Sequence, residues 1–222
     1  MNIFLQRTLG LCFWLTATSA AYAQEIPVSA DTTQNFNGYA LGKVLTPEGR
    51  TVRVYVPVSW EGFHKVLPFY DVPPDSRPRP ATKFISVDKV KHMRVQGLYS
   101  ETLYLNGKSE RVLAPRLLDG PVELFTLSET NSIPIPIPIG GAAIAMLPGA
   151  TYVNNRWYLR REGQPLVQVS RGKFKEQLVA YMHDAPDLAA KIIAGHPDYR
   201  YQDMIRIIQE YNSWLTTTST AR

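Results

Sequence analysis

The strongest constraint on the fold of this 222-residue chain is a change in the spacing of its apolar residues near residue 174. Before that point apolar side chains recur at every second position. In residues 51–58, for example, four valines share one face of a predicted strand. After it, Phe174, Leu178 and Tyr181 recur three and four residues apart, which is typical of a helix. The spacing therefore predicts a run of antiparallel strands followed by helices.

Turn-forming residues divide the first part of the chain into hairpins. A Pro-Glu-Gly turn at residues 47–49 separates two strand-like runs, and Asn106-Gly107, a strong hairpin signal, separates two more. Residues 162–164 separate a further pair. We therefore predict an α+β protein that is mainly β. Its antiparallel sheet, with a rolled or partly closed form as alternatives, carries three short C-terminal helices on one face or end.

Helix boundaries can be read from the residues near each end. Asp184 is predicted to cap the second helix, Pro186 suits its first turn and Gly195 ends it. The apolar stripe from Tyr201 to Tyr211 predicts the third helix. Residues 216–222 are predicted to be a disordered tail.

Residues 1–23 have the layout of a secretory signal. They contain a single charge, Arg7, then an apolar run at residues 9–15, and they end in Ala21-Tyr22-Ala23, which suits a signal peptidase. The run is too short to span a bilayer as a helix. We expect an exported protein that is periplasmic, outer-membrane-associated or secreted. Residues 24–35 would form a flexible arm, and residues 36–215 a single β-rich domain without a transmembrane helix.

Composition argues against several kinds of chemistry. The only cysteine, Cys12, lies in the predicted signal, so the mature chain would have no disulfide and no thiol nucleophile. The four histidines lack metal-ligand spacing, and neither a serine elbow nor a phosphate loop is present. Lysines and arginines are scattered despite a net charge of +5, so no nucleic acid is expected as a partner. No cofactor, no metal and no catalytic residue are assigned.

Residues 130–155 break the pattern because they contain no charged side chain. Proline alternates with isoleucine from residue 133 to 139, followed by a Gly/Ala-rich run. Proline lacks the amide that a central strand needs, so we predict an apolar loop with polyproline II character. Three interpretations are open: a mobile connection, a segment that contacts a partner or a membrane, and a spanning element.

The predicted contact segment carries the functional hypothesis. We expect a non-enzymatic envelope protein that binds an unknown protein or a membrane surface through large apolar side chains of this loop. These are Ile133, Ile135, Ile137, Ile139, Ile144, Met146 and Leu147. The alternative is a periplasmic hydrolase of glycans or peptides, whose acids the sequence does not select. A structural or stress-response role is a third possibility.

The order of motifs in the second half of the chain resembles a family of uncharacterised secreted proteins from Bacteroidetes. The resemblance rests on an aromatic strand at residues 156–161, Phe174, residues 181–188 and Tyr211-Asn212, with Gly38-Tyr39 near the start. An apolar, Gly-rich insert before the aromatic strand is also typical. The resemblance implies a secreted β-rich fold and no known activity. Many relatives carry Cys near the positions of Ala185 and Ser213; if those form a disulfide, this chain has lost it.

Overall fold

A computed structural model describes residues 34–105, 110–132, 135–140, 143–147, 149 and 151–220. Within these ranges the chain forms twelve strands, followed by three α-helices. The strands are β1 (Tyr39–Leu45), β2 (Thr51–Pro57), β3 (Val66–Phe69), β4 (Lys83–Ser86), β5 (His92–Val95), β6 (Leu98–Leu105), β7 (Glu110–Leu118), β8 (Val122–Ser132), β9 (Ile135–Gly140), β10 (Ala143–Leu147), β11 (Thr151–Arg161) and β12 (Val167–Val169). The helices are α1 (Phe174–Tyr181), α2 (Pro186–Ala194) and α3 (Met204–Thr220).

Eight strands form one antiparallel sheet in the order β12-β11-β8-β7-β6-β5-β1-β2. Strands β3 and β4 form a separate hairpin, as do β9 and β10. The prediction of a mainly β fold with an antiparallel sheet and three helices is confirmed. Among the described residues the edge strands β12 and β2 do not pair, so the sheet is not closed and a rolled form is not confirmed.

Alternating side chains along the strands give the sheet two buried faces. On one face, at the end formed by β1, β2 and β5, the core is covered by the β3–β4 hairpin. Its buried members are Ala40, Val44, Val54, Val56, Leu67, Val87, Val90, Met93, Val95, Leu98 and Leu113. This is the burial that the valine alternation of β2 predicts, although Val52 at the strand start stays exposed.

The helices cover the other end of the sheet, at β8, β11 and β12. Val122, Leu124, Trp157 and Leu159 point toward them and are almost completely buried. The neighbouring side chains on the same strands point to the opposite face. They belong to a third core, which consists of Leu103, Leu105, Val112, Ala114, Phe125, Leu127 and Tyr158. Strands β8 and β11 therefore lie between two cores.

Asp184 does not cap α2 as the sequence predicts. The residue before the helix is Ala185, and it makes no capping hydrogen bond through its side chain. Asp184 instead accepts a hydrogen bond of 2.6 Å from the Tyr211 hydroxyl, and Arg161 also donates to that hydroxyl. The Asp184 carboxylate is therefore used to tie α3 to the start of α2. Gly195 ends α2 in the left-handed conformation, as predicted.

The prediction of a disordered tail at residues 216–222 is wrong for residues 216–220, which continue α3. Threonine has a low helix propensity, which is why the sequence indicates fraying. In the structure the hydroxyls of Thr216, Thr217, Thr218 and Thr220 each donate to the carbonyl four residues earlier, at 2.9 Å. Residues 221 and 222 lie outside the described residues.

Asn212 joins α3 directly to the start of β8. Its amide nitrogen donates to the Val122 carbonyl at 2.8 Å, and its side-chain oxygen accepts from the Val122 amide at 2.9 Å. Gly120 leaves the space that this contact needs, because a Cβ there would lie 2.9 Å from the Asn212 amide nitrogen. The pair of bonds replaces a strand neighbour that Val122 lacks at this point.

We predict that Asn212→Ala lowers the free energy of unfolding by about 1–3 kcal/mol, because it leaves two main-chain groups of buried Val122 without partners. Ser213→Ala is the matched control, since the Ser213 hydroxyl bonds only within its own helix, to the Gln209 carbonyl. Urea unfolding of both variants measures the difference. Equal stability of the two variants would contradict this account of how α3 is attached.

Candidate functional site: an apolar hairpin above a polar collar

The described residues of the charge-free segment 130–155 form paired strands and not the predicted loop. Strand β8 extends to Ser132, β9 and β10 follow, and β11 begins at Thr151. Ser132 pairs with Thr151, and Ile135 with Leu147. The β9–β10 pair, called the apolar hairpin below, is therefore nested within the β8–β11 pair.

The alternation of proline explains how such a sequence enters a strand. In an antiparallel pair every second residue directs its amide away from the neighbouring strand. Pro136 and Pro138 lie opposite Met146 and Ile144. Since proline has no amide to donate, these must be the pairs that exchange no hydrogen bonds. The prolines occur at every second residue, as do the pairs without hydrogen bonds in an antiparallel ladder. Strand β9 can therefore be an edge strand without losing a hydrogen bond to β10.

Two of the predicted contact residues have described side chains, and both are exposed: Ile135 by 51% and Ile137 by 36%. Exposed apolar side chains also precede the polar part of β11, where Tyr152 is 51% and Val153 59% exposed. No sequence pattern singles out these two residues as contact residues.

The remaining predicted contact residues are placed by their backbone alone. Ile139 lies in β9, and Ile144, Met146 and Leu147 lie in β10. Ile133 lies outside the described residues. The structure thus brings six of the seven predicted residues into one two-stranded element.

Polar residues surround the part of β8 and β11 that leads to the hairpin. We call this set the polar collar, and it consists of Glu61, His64, Ser128, Glu129, Asn155 and Arg156. Arg156 lies 3.0 Å from Glu129, and the His64 ring nitrogen lies 3.5 Å from the same carboxylate. The collar therefore marks the boundary beyond which residues 130–155 carry no charge.

Hydrogen bonds fix the collar to the body of the protein. The Ser128 amide donates to the Glu61 carbonyl at 2.9 Å, and its hydroxyl donates to the Asn155 side chain at 2.8 Å. The Tyr201 hydroxyl, from the segment before α3, donates to the Asn155 carbonyl at 2.8 Å. The base of the hairpin is thus held from both sides of the β8–β11 pair.

A second polar arrangement lies on the sheet face opposite the helices. Arg160 binds the Glu101 carboxylate through two nitrogens, at 2.8 and 2.9 Å, and donates to Glu123 at 2.5 Å. Arg116 binds the other oxygen of Glu123 at 2.5 Å and lies over the Tyr99 ring. This network connects β6, β7, β8 and β11 across the sheet.

The Glu101 carboxylate in this network is held in its charged form. Burial acts to raise the pKa of Glu101, but the hydrogen bonds and positive charge of Arg160 outweigh it and keep this pKa below its ordinary value. Burial and the neighbouring Glu101 charge raise the pKa of Tyr99 to about 12, so its hydroxyl stays protonated and donates to Glu101 at 3.0 Å. An ionised carboxylate bound to arginine accepts hydrogen bonds and does not serve as a general acid.

The described part of the chain contains no group of three or more His, Cys, Asp or Glu side chains that could hold a metal ion. No helix among the described residues is long and apolar enough to cross a membrane.

No family model, curated protein or solved structure matches this chain. The resemblance to the secreted Bacteroidetes family therefore stays a prediction.

We predict that Glu101→Gln changes how stability depends on pH. Because the pKa of Glu101 is lowered in the folded state, its ion pairs stabilise the protein above the unfolded-state pKa of about 4.3, and this stabilisation is lost as pH falls through the lower folded pKa. Urea unfolding should show the variant less stable by about 1–2 kcal/mol at neutral pH, after allowing for partial solvent exposure. The difference should shrink at acidic pH.

The matched control is Glu162→Gln, since Glu162 is exposed and forms no ion pair among the described residues. It should leave the free energy of unfolding within about 0.5 kcal/mol of wild type. A loss for Glu101→Gln that stays constant from neutral to acidic pH would contradict the role given to the Glu101 charge.

Proposed function

We propose that this protein is an exported, non-enzymatic protein of the cell envelope that contacts a membrane surface through its apolar hairpin. The observation that carries the proposal is the order of side chains along one ribbon. Ile135 and Ile137 are exposed on the hairpin, Tyr152 is exposed on the adjoining strand, and the charged collar follows.

This order matches the polarity of a membrane surface. Aliphatic side chains favour the hydrocarbon, tyrosine favours the boundary, and charged groups favour water and lipid headgroups. The collar contains both charge signs, with Arg156 paired to Glu129. The Arg156–Glu129 pair can therefore lie among headgroups without bringing either of these two charges unpaired toward the hydrocarbon.

The length of the hairpin favours surface contact over spanning. Strands β9 and β10 contain six and five residues. At about 3.3 Å per residue they extend about 20 Å, which is less than the hydrocarbon thickness of about 30 Å. Pro136 and Pro138 also remove donors that would otherwise be unsatisfied along one edge in an apolar medium. We therefore expect the hairpin to enter the outer part of the bilayer.

The hydrolase alternative receives no comparable support. Among the described carboxyl groups, those with a resolved shift (Glu48, Glu101 and Glu210) have a lowered pKa. A glycan hydrolase of the common type needs one acid whose pKa is raised. A protein partner for the hairpin is the other outcome that the experiment below can give.

We predict that replacing residues 132–151 with Asn-Gly abolishes binding to lipid vesicles. This change joins the paired residues Asn131 and Tyr152 by a two-residue turn, so the rest of the β8–β11 pair is kept. Flotation of the purified protein with vesicles of phosphatidylethanolamine and phosphatidylglycerol measures the bound fraction. Wild type should float with the vesicles, and the shortened variant should stay in the soluble fraction.

A single substitution gives a sharper comparison. Ile137→Asp places a charge on the exposed hairpin and should weaken vesicle binding at least about tenfold, since the burial of one isoleucine contributes about 1.5–3 kcal/mol. Val72→Asp is the matched control, because Val72 is exposed to a similar extent in a loop before β4. Equal binding of wild type and all three variants, or no vesicle binding by wild type, would contradict the proposal. If the hairpin binds an envelope protein and no vesicles, the proposed membrane contact is wrong and the partner of the hairpin is a protein.

Export is tested independently by the mass of the protein from the producing cell. We predict a mature chain that begins near Gln24, because a signal peptidase would cut after Ala23. Mass spectrometry of the fractionated protein gives the N-terminus. Accumulation in the cytoplasm of a chain that retains residues 1–23 would contradict the predicted location.

A further inference from the structure

The outer edge of β10 offers hydrogen-bonding groups that the outer edge of β9 lacks. Since the proline pairs exchange no bonds, the alternate pairs must do so, namely Ile137 with Ala145 and Ile135 with Leu147. The amides and carbonyls of Ile144 and Met146 are then directed away from β9. In the described part of the chain no strand pairs with this edge.

The two edges of the hairpin therefore differ in what they can bind. Along β9 the outward positions 136 and 138 are prolines, which cannot donate to a further strand. Along β10 two outward residues each present one donor and one acceptor. An unprotected apolar edge is a template for strand addition, and only one side of this hairpin is unprotected.

We propose that the outer edge of β10 pairs with the same edge of a second copy of this chain, antiparallel and around a two-fold axis at Ala145. Ile144 of one copy then lies opposite Met146 of the other, and each of these two pairs exchanges two hydrogen bonds. The donors and acceptors of this edge match those of the same edge in a second, antiparallel copy. Such self-complementarity is the condition for a two-fold interface. This inference goes beyond the proposed function, because it concerns the edge of the hairpin and not its apolar face.

Two features favour a second copy of this chain as the partner of the β10 edge: the absence of charge in the hairpin, and the protected outer edges of the sheet that would result. The chain carries a net charge of +5, but residues 130–155 carry none, so two hairpins meet without like-charge repulsion. The resulting four-stranded sheet has the order β9-β10-β10-β9, with proline-bearing strands at both outer edges. Addition therefore stops at two copies, whereas an unprotected outer edge would continue to add strands.

Because β10 contains only five residues, the interface is smaller than the roughly 1,200 Å² of a stable complex. We therefore expect a weak dimer that is best detected by covalent trapping. At the two-fold axis the two Ala145 residues form a pair without hydrogen bonds, in which Cα atoms lie about 4.5 Å apart. This distance is compatible with a disulfide.

The test uses Ala145→Cys in the full chain with Cys12→Ser, so that the new cysteine is the only one present. Mild oxidation should convert most of the protein into a disulfide-linked dimer on a non-reducing gel. Val153→Cys in the same background is the control, since this exposed residue lies on β11, away from the proposed axis. It should cross-link at least tenfold more slowly.

A second variant separates edge pairing from random collision. Met146→Pro removes an outward amide without removing a bond within the hairpin, and should reduce the cross-linking of Cys at position 145 at least tenfold. Met146→Ala keeps the amide and should cross-link as readily as the parent. Equal cross-linking at positions 145 and 153, or equal cross-linking with proline and alanine at 146, would overturn the proposal.

The dimer and the membrane contact can fail separately. If vesicle binding is lost on shortening the hairpin but position 145 does not cross-link, the dimer is rejected and the proposed function stands. If position 145 cross-links as described and vesicle binding is absent, the dimer stands and the proposed function is rejected.

Discussion

The antiparallel pairing of β8 with β11 is the interaction on which the rest of the structure depends. These two strands pair over eleven residues each, from Val122 with Arg161 to Ser132 with Thr151. At one end of the pair, alternate side chains enter the helix-covered core and the core on the opposite sheet face. At the other end, the pair leaves the sheet and leads to the apolar hairpin. One ladder therefore supports both the packing of the domain and its exposed contact element.

Polarity divides this ladder into regions with different partners. The buried part is surrounded by apolar side chains, with the Arg160 network bridging β8 and β11 to their neighbours. The polar collar follows, and its ion pair between Glu129 and Arg156 lies across the two strands. Beyond the collar the charges end while the strand pairing continues. A β-ribbon with exposed isoleucines is unfavourable in water unless another surface covers it, which is the physical basis of the proposed membrane contact.

Much of the body could be predicted from the sequence because each strand there has one face in a core. The alternation of apolar and polar residues predicts the bounds of β2, β5 and β6 to within about a residue. The change from a two-residue to a 3.6-residue spacing of apolar residues predicts where α1 and α2 lie. The apolar hairpin could not be predicted in this way, since prolines argue against a strand unless the partner edge is known. The repeat of two in the prolines, which matches the repeat of an antiparallel ladder, was the indication of a strand in this part of the sequence. The polar collar brings together residues that are far apart in the sequence, from Glu61 to Arg156. Local sequence patterns carry no information on such long-range contacts.

Hydrogen–deuterium exchange of the hairpin amides, with and without lipid vesicles, tests the central claim most directly. The account predicts that protection on vesicle binding is concentrated in β9 and β10 and in the Tyr152 region, while amides of the buried ladder and of α1–α3 change little. Unchanged exchange in β9 and β10, together with new protection elsewhere in the domain, would contradict the assignment of the apolar hairpin as the contact element.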